Sequence, residues 1–199
     1  MTTYLDVYWI PLGSGGHCVR LSGRTYELAR AVVGRRRALD LYHAALLVHL
    51  DGVTTTIEVA PQWQDAVGPE WPVAPVVGPV GMRGLGRWAL FRYEVRCRPG
   101  GTIPDLDEAV DSPQRVSTDE RQCRAVLDLA GQVPPLTWGR DEQRLGEMWN
   151  SNSVVAWLLL GAGVDPGRTQ PPRGGSAPGW RAGILAASGG RAEEVVPHG

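Results

Sequence analysis

A single α+β domain, an antiparallel sheet packed against helices, is the fold class that the 199-residue chain predicts. Three observations carry the prediction. Two runs rich in β-branched and apolar residues, Leu41–Leu50 and Val53–Ala60, flank Asp51-Gly52, a dipeptide that favours the tight type I′ turn of a hairpin. Ser117-Thr118-Asp119-Glu120 has capping-box spacing, with Glu three residues after Ser, and predicts a helix to about Ala130. Asn150-Ser151-Asn152-Ser153 runs straight into the apolar stretch Val154–Leu160, which stops at Gly161 and Gly163, as a capped helix entering a core does.

The remaining elements follow in chain order. Tyr4–Ile10 is aromatic and β-branched, is followed by Pro11 and Gly13, and reads as a first strand. Gly13–Gly16 is a flexible turn that lacks the phosphate-loop pattern, and Ser22 caps a helix to about Arg36. If Leu50 pairs with Val53 in the hairpin, Ala45 falls opposite Glu58 and His43 opposite Ala60, which puts His43 and Glu58 on one face as diagonal neighbours. Pro61–Gly86 is rich in Pro, Gly and Trp and reads as a long loop with short extended pieces. Trp88–Cys97 is the next strand, and Ile103–Val110 a short helical or turn segment with Ile103 and Leu106 packed inward. After the helix opened at Ser151, Pro166–Pro178 is loop and Gly183–Ala187 a last short strand. The domain spans residues 1–188, and 189–199 is expected to be a flexible tail.

Composition narrows the functions. The net charge of −1 provides no long-range field for nucleic acid, and Arg35-Arg36-Arg37 is too short a run to alter that. None of the twenty basic residues is lysine, which removes Schiff-base, phosphate-loop and general-base lysines. The Arg, Ala, Gly and Pro usage fits a GC-rich bacterial coding bias. Cys18, Cys97 and Cys123 are widely spaced and form neither a disulfide framework nor a metal motif. His17, Cys18, His43 and His49 likewise repeat no zinc spacing, so neither metal nor cofactor is expected. There is no basic-then-apolar leader, and the longest apolar run is far short of the roughly 20 residues that span a bilayer. A cytoplasmic protein is the expectation.

The chemistry concentrates on a few residues. Ser151 stands at a buried helix start, where free N–H groups and the positive end of the helix dipole suit either a capping side chain or a nucleophile. His43 opens an amphipathic strand and is the available base. Glu58 is the carboxylate placed to orient its imidazole, with Thr56 as the fallback. Asn150 and Asn152 are expected to hydrogen-bond around the helix entry, and Ser153 is a second candidate hydroxyl.

The order of these parts, Tyr42-His43-Ala44-Ala45-Leu46-Leu47-Val48, a second strand, and a late helix opening Asn150-Ser151-Asn152-Ser153, resembles circularly permuted NlpC-type papain-like proteins. These include the lecithin:retinol acyltransferase-like and PPPDE peptidase groups, in which the histidine comes first and an Asn-Cys-Asn motif opens the later helix. The resemblance covers His43–Ala60 and Asn150–Leu160, and implies a permuted papain-like fold. Ser151 occupies the cysteine's place. A thiol of pKa about 8.5 is readily lowered to a thiolate by a helix N-terminus and a cation, whereas serine needs a base during attack. Two functions follow. The first is a non-catalytic, degenerate papain-like domain that binds a partner protein or small ligand in its cleft. The alternative is an acyl-transfer enzyme, an amide or ester hydrolase or transferase, using Ser151 with His43 as base and Glu58 as orienter.

Overall fold

The hairpin organises the sheet. In the computed structural model, which describes residues 2–12, 40–62, 75–103 and 105–193, strand β2 (Asp40–Leu50) and strand β3 (Val53–Pro61) are joined at Asp51 and Gly52. Both turn residues have positive φ, 53° and 78°, which is the type I′ geometry anticipated for Asp-Gly. The register begins at Leu50 opposite Val53, as the sequence reading has it, but pairing ends at Leu46 opposite Ile57. Beyond that point the strands part. β2 continues beside β1 (Tyr4–Pro11), with Ile10 opposite His43, while β3 continues beside β5 (Arg92–Pro99), with Glu58 opposite Arg96. The inferred pairs Ala45 with Glu58 and His43 with Ala60 therefore do not form, and the sheet opens into a fork between β2 and β3.

The described strands form one sheet of seven strands. Its order is β4-β5-β3-β2-β1-β6, with β4 at Val76–Pro79 and β6 at Gln114–Ser117, and these pairings are antiparallel. A two-residue strand β7, Gly175–Ser176, runs parallel to β2 at Asp40 and Leu41. Among the described residues three helices complete the α+β architecture: α1 (Glu120–Ala130), α2 (Ser151–Gly161) and α3 (Trp180–Glu193).

Side-chain alternation gives the sheet two different faces. Leu5, Val7 and Trp9 of β1, Tyr42, Ala44, Leu46 and Val48 of β2, and Tyr93, Val95 and Cys97 of β5 turn to one side and pack with Cys123, Val126, Val154, Val155, Leu158 and Leu159 from the helices. Burying each large side chain in this cluster contributes about 1.5–3 kcal/mol. Ile10 and Ala45 turn to the other side, where they meet Ile103, with Leu106 and Ala109 against them. Val154, Val155, Ala156, Leu158 and Leu159 of α2 are all buried, because this helix lies against β2 with α1 and α3 around it.

Several boundaries differ from the sequence reading, each for a local reason. Ala89–Phe91 form a 3-10 turn, with Trp88 extended before it, instead of opening β5, and Trp88, Leu90 and Phe91 are exposed there. Helix α1 is capped by Asp119, whose carboxylate accepts from the Arg121 amide at 2.7 Å. Ser117 ends β6, and its hydroxyl accepts from the Asp119 amide and donates to Gln122. Residues 183–187 are helix, not strand, and α3 runs on to Glu193 through the first residues of the expected tail. Gly183 is needed there, because a side chain at that position would strike the Ser153 backbone where α3 crosses α2. The Gly13–Gly16 turn, the helix from Ser22 and the end of the tail lie outside the described residues.

Candidate functional site

Trp149 sets the entry to α2. It is buried, its indole N–H donates to the Tyr93 hydroxyl at 3.1 Å, and that hydroxyl donates to the Leu136 carbonyl at 2.7 Å. The chain then turns at Asn150, and this residue is the helix cap. Its Oδ1 accepts from the amides of Asn152 at 3.0 Å and Ser153 at 3.3 Å, while its own amide donates to Ser153 Oγ at 3.1 Å, closing a reciprocal capping box. The capping role considered for Ser151 thus belongs to its neighbour. Ser153 is also committed to structure: it is fully buried and its hydroxyl donates to the Gly179 carbonyl at 2.7 Å.

The start of α3 is brought to the same place. Asn150 Nδ2 donates to the Pro178 carbonyl at 2.9 Å, and the Glu147 carboxylate accepts from the amides of Gly179 and Arg181, both at 3.2 Å. A carboxylate at the first turn of α3 is favoured by the helix dipole. Gly179 has φ 88°, and a Cβ there would stand 2.5 Å from Asn150 Oδ1, so glycine is required on both counts.

Asn152 connects this assembly to the fork. Its Oδ1 accepts from the Ala44 amide at 2.7 Å, and its Nδ2 donates to the Tyr42 carbonyl at 3.0 Å and the Pro178 carbonyl at 2.9 Å. Those Tyr42 and Ala44 groups lie on the β2 edge that β3 has left. One side-chain amide therefore substitutes for a missing strand, satisfying a donor and an acceptor that would otherwise be buried unpaired. The contact brackets His43 and holds the first turn of α2 beside it.

Ser151 is the first residue of α2 and is 9% exposed. Among the described residues neither its hydroxyl nor its amide makes a hydrogen bond, so both are left at the positive end of the helix. His43 alternates with Tyr42 and Ala44, which face the helices, and so projects to the other side of β2 with Ala45. No hydrogen bond joins it to Ser151. Burial lowers the imidazole to about 4, partly opposed by the charge of Asp105, and the ring is therefore neutral at pH 7.

Asp105 is the residue that sequence reasoning missed. Ile103 packs against Ile10 and Ala45, one directly opposite His43 and one next along its face, and this brings Ile103, Leu106 and Ala109 to the histidine side of the sheet. Asp105 has the left-handed φ of 57°, uncommon for a side chain larger than glycine. Nothing in its spacing from His43 advertises the proximity, since packing of a turn creates it.

Glu58 has other company. It faces the same side as His43, but its carboxylate lies 3.4 Å from the Arg98 guanidinium. Burial raises its pKa, with Arg98 and then Arg96 opposing the rise. Thr56 is completely buried opposite Leu47, with its hydroxyl unpaired. His49 stacks on Tyr4 with ring centroids 4.9 Å apart, and its Nδ1 lies 2.9 Å from Thr54 Oγ1. Cys97 and Cys123 are buried free thiols, both raised in pKa by burial, Cys97 to about 11. Among the described residues no group of three His, Cys, Asp or Glu side chains is placed to hold a metal ion, and no helix is long and apolar enough to cross a membrane.

The arrangement offers a polar helix start with a hydroxyl and amide unpaired among the described residues, a neutral imidazole on the adjoining strand, and a carboxylate whose charge acts on that imidazole. Comparison of the chain with protein-family models, with characterised proteins and with solved structures found no match.

Proposed function

We propose that the chain is a degenerate papain-like domain that binds a small ligand or a partner segment at the α2 entry without turning it over. The observation that supports this reading is that Ser151 and His43, though on adjoining elements, share no hydrogen bond and that His43 lies on the face of β2 turned away from the helices. An imidazole at about 4 is also a weak base for a serine hydroxyl, since proton transfer works best when the base titrates near the working pH. Engagement of Glu58 by Arg98 adds to the case, because the expected orienter is occupied.

A specific observation favours the acyl-transfer alternative. The cap is Asn150, so among the described residues the Ser151 hydroxyl and amide are unpaired at a helix N-terminus, where a nucleophile and an oxyanion donor would be needed. A serine-directed fluorophosphonate probe separates the two readings. The binding domain leaves Ser151 unlabelled at pH 7–8 by peptide mapping. Labelling of Ser151 in the wild type that disappears in His43→Ala, with the variant still folded, would overturn the binding reading in favour of the enzyme.

A further inference from the structure

Four of the seven large apolar side chains exposed among the described residues fall within ten positions: Met82 at 57%, Trp88 at 50%, Leu90 at 63% and Phe91 at 36%. Phe91 is the only phenylalanine in the chain. A concentration of this kind on one loop marks an interaction surface, whereas scattered single residues do not. The loop is also shaped in advance. Residues 83–87 and 89–91 are 3-10 turns, the Val80 amide donates to the Phe91 carbonyl at 2.8 Å, and the Gly81 amide donates to the Trp138 carbonyl at 2.9 Å. The Arg92 guanidinium ties the turn together by donating to the carbonyls of Gly86 and Arg87.

Its charge has one sign. Residues 76–93 contain Arg83, Arg87 and Arg92 and no acidic residue. The Arg87 guanidinium lies 4.4 Å above the Trp88 ring, and Trp88 meets Phe91 edge-on with centroids 6.4 Å apart. Among the described residues, Glu142 of the adjoining segment pairs with Arg83 at 3.0 Å. Cationic and aromatic side chains interleaved on a fixed turn suit a layer that is anionic outside and apolar beneath.

We propose that residues 82–91 dock on the surface of an anionic lipid bilayer, with Trp88, Leu90 and Phe91 entering the headgroup boundary and the arginines meeting lipid phosphates. The size of the patch favours a bilayer over a protein. Four side chains on one loop offer a few hundred Å², well short of the roughly 800 Å² per partner of a stable protein interface. A bilayer needs no matching surface. The proposal is independent of what binds at the α2 entry.

Flotation of the full chain with vesicles tests it. Phosphatidylcholine vesicles carrying about 30 mol% phosphatidylserine should bind the chain at least tenfold more tightly than pure phosphatidylcholine, and about 0.5 M salt should remove most of that preference. Leu90→Glu and Arg87→Glu, both at exposed positions, should each weaken binding about tenfold while leaving the circular dichroism spectrum unchanged. Absence of binding to the anionic vesicles overturns the proposal, as does binding that neither variant weakens. A wild-type dimer in light scattering that Leu90→Glu converts to monomer would assign the patch to a second copy of the chain and also overturns it.

Discussion

Replacing Asn152 by alanine should be among the most damaging single changes to this domain, although it lies outside the apolar core cluster. The side chain makes three hydrogen bonds, to the Ala44 amide and the Tyr42 and Pro178 carbonyls, at 2.7, 3.0 and 2.9 Å. The first two are buried. Each buried polar group left unpaired costs about 1–3 kcal/mol, whereas the partly buried Pro178 carbonyl can turn to water at little cost. Asn152→Ala should therefore lose about 3–4 kcal/mol, a large part of the roughly 5–15 kcal/mol that stabilises a domain. At about 2–4 °C per kcal/mol for a chain of this size, the melting temperature should fall by about 6–16 °C. Urea denaturation gives the free energy, and amide hydrogen exchange at Ala44 reports the local contact. A loss below about 0.5 kcal/mol, or unchanged protection at Ala44, would refute the strand-substitute argument, since surface substitutions fall within that range.

Three further outcomes follow from the site. Asn150→Ala should cost about 1–2 kcal/mol as the loss of a helix cap, while Ser151→Ala should stay within about 0.5 kcal/mol; paired denaturation curves check this, and the reverse ranking would return the cap to Ser151. His43 binds protons more readily in the unfolded chain, at its ordinary 6.5, than in the folded one at about 4. Its contribution is thus fully present above pH 6.5 and is lost as pH falls toward 4, by roughly 3 kcal/mol at most, and denaturation of wild type against His43→Gln should show that slope only in the wild type. Asp105→Asn removes the charge that favours the imidazolium, so the His43 pKa should drop further in an NMR titration. No change there would separate Asp105 from the histidine.

Local signals in the sequence were strong where the chain turns on itself over a few residues. Asp51-Gly52 between alternating runs specified the hairpin and its first pair, and the polar start of α2 marked the helix to within a residue. Where the outcome rests on packing between distant segments, the sequence was silent. The hairpin register, extended from Leu50 and Val53, carried Glu58 toward His43; β3 leaves β2 after Ile57 while keeping its pairing with β5 on its other edge, and no feature of the hairpin itself announces that. Gly183-Ile184-Leu185-Ala186-Ala187 is too short and apolar for periodicity to separate strand from helix, and the close crossing with α2 decides it. Asp105 was invisible for a similar reason, since its effect on His43 depends on where the packing of Ile103 brings it.

The amide of Asn152 reaches back 108 positions to Ala44 and 110 to Tyr42. During synthesis from the N-terminus, β1, β2 and β3 can be complete long before residue 152 exists. Until it arrives, the forked end of β2 presents an unsatisfied N–H and C=O beside an apolar run, which is the kind of edge that recruits another chain. The residue that builds the mouth of the candidate site is therefore also the one that closes an aggregation-prone edge. A slow or failed docking of α2 would then show itself first as mispaired chains and only afterwards as loss of the proposed binding.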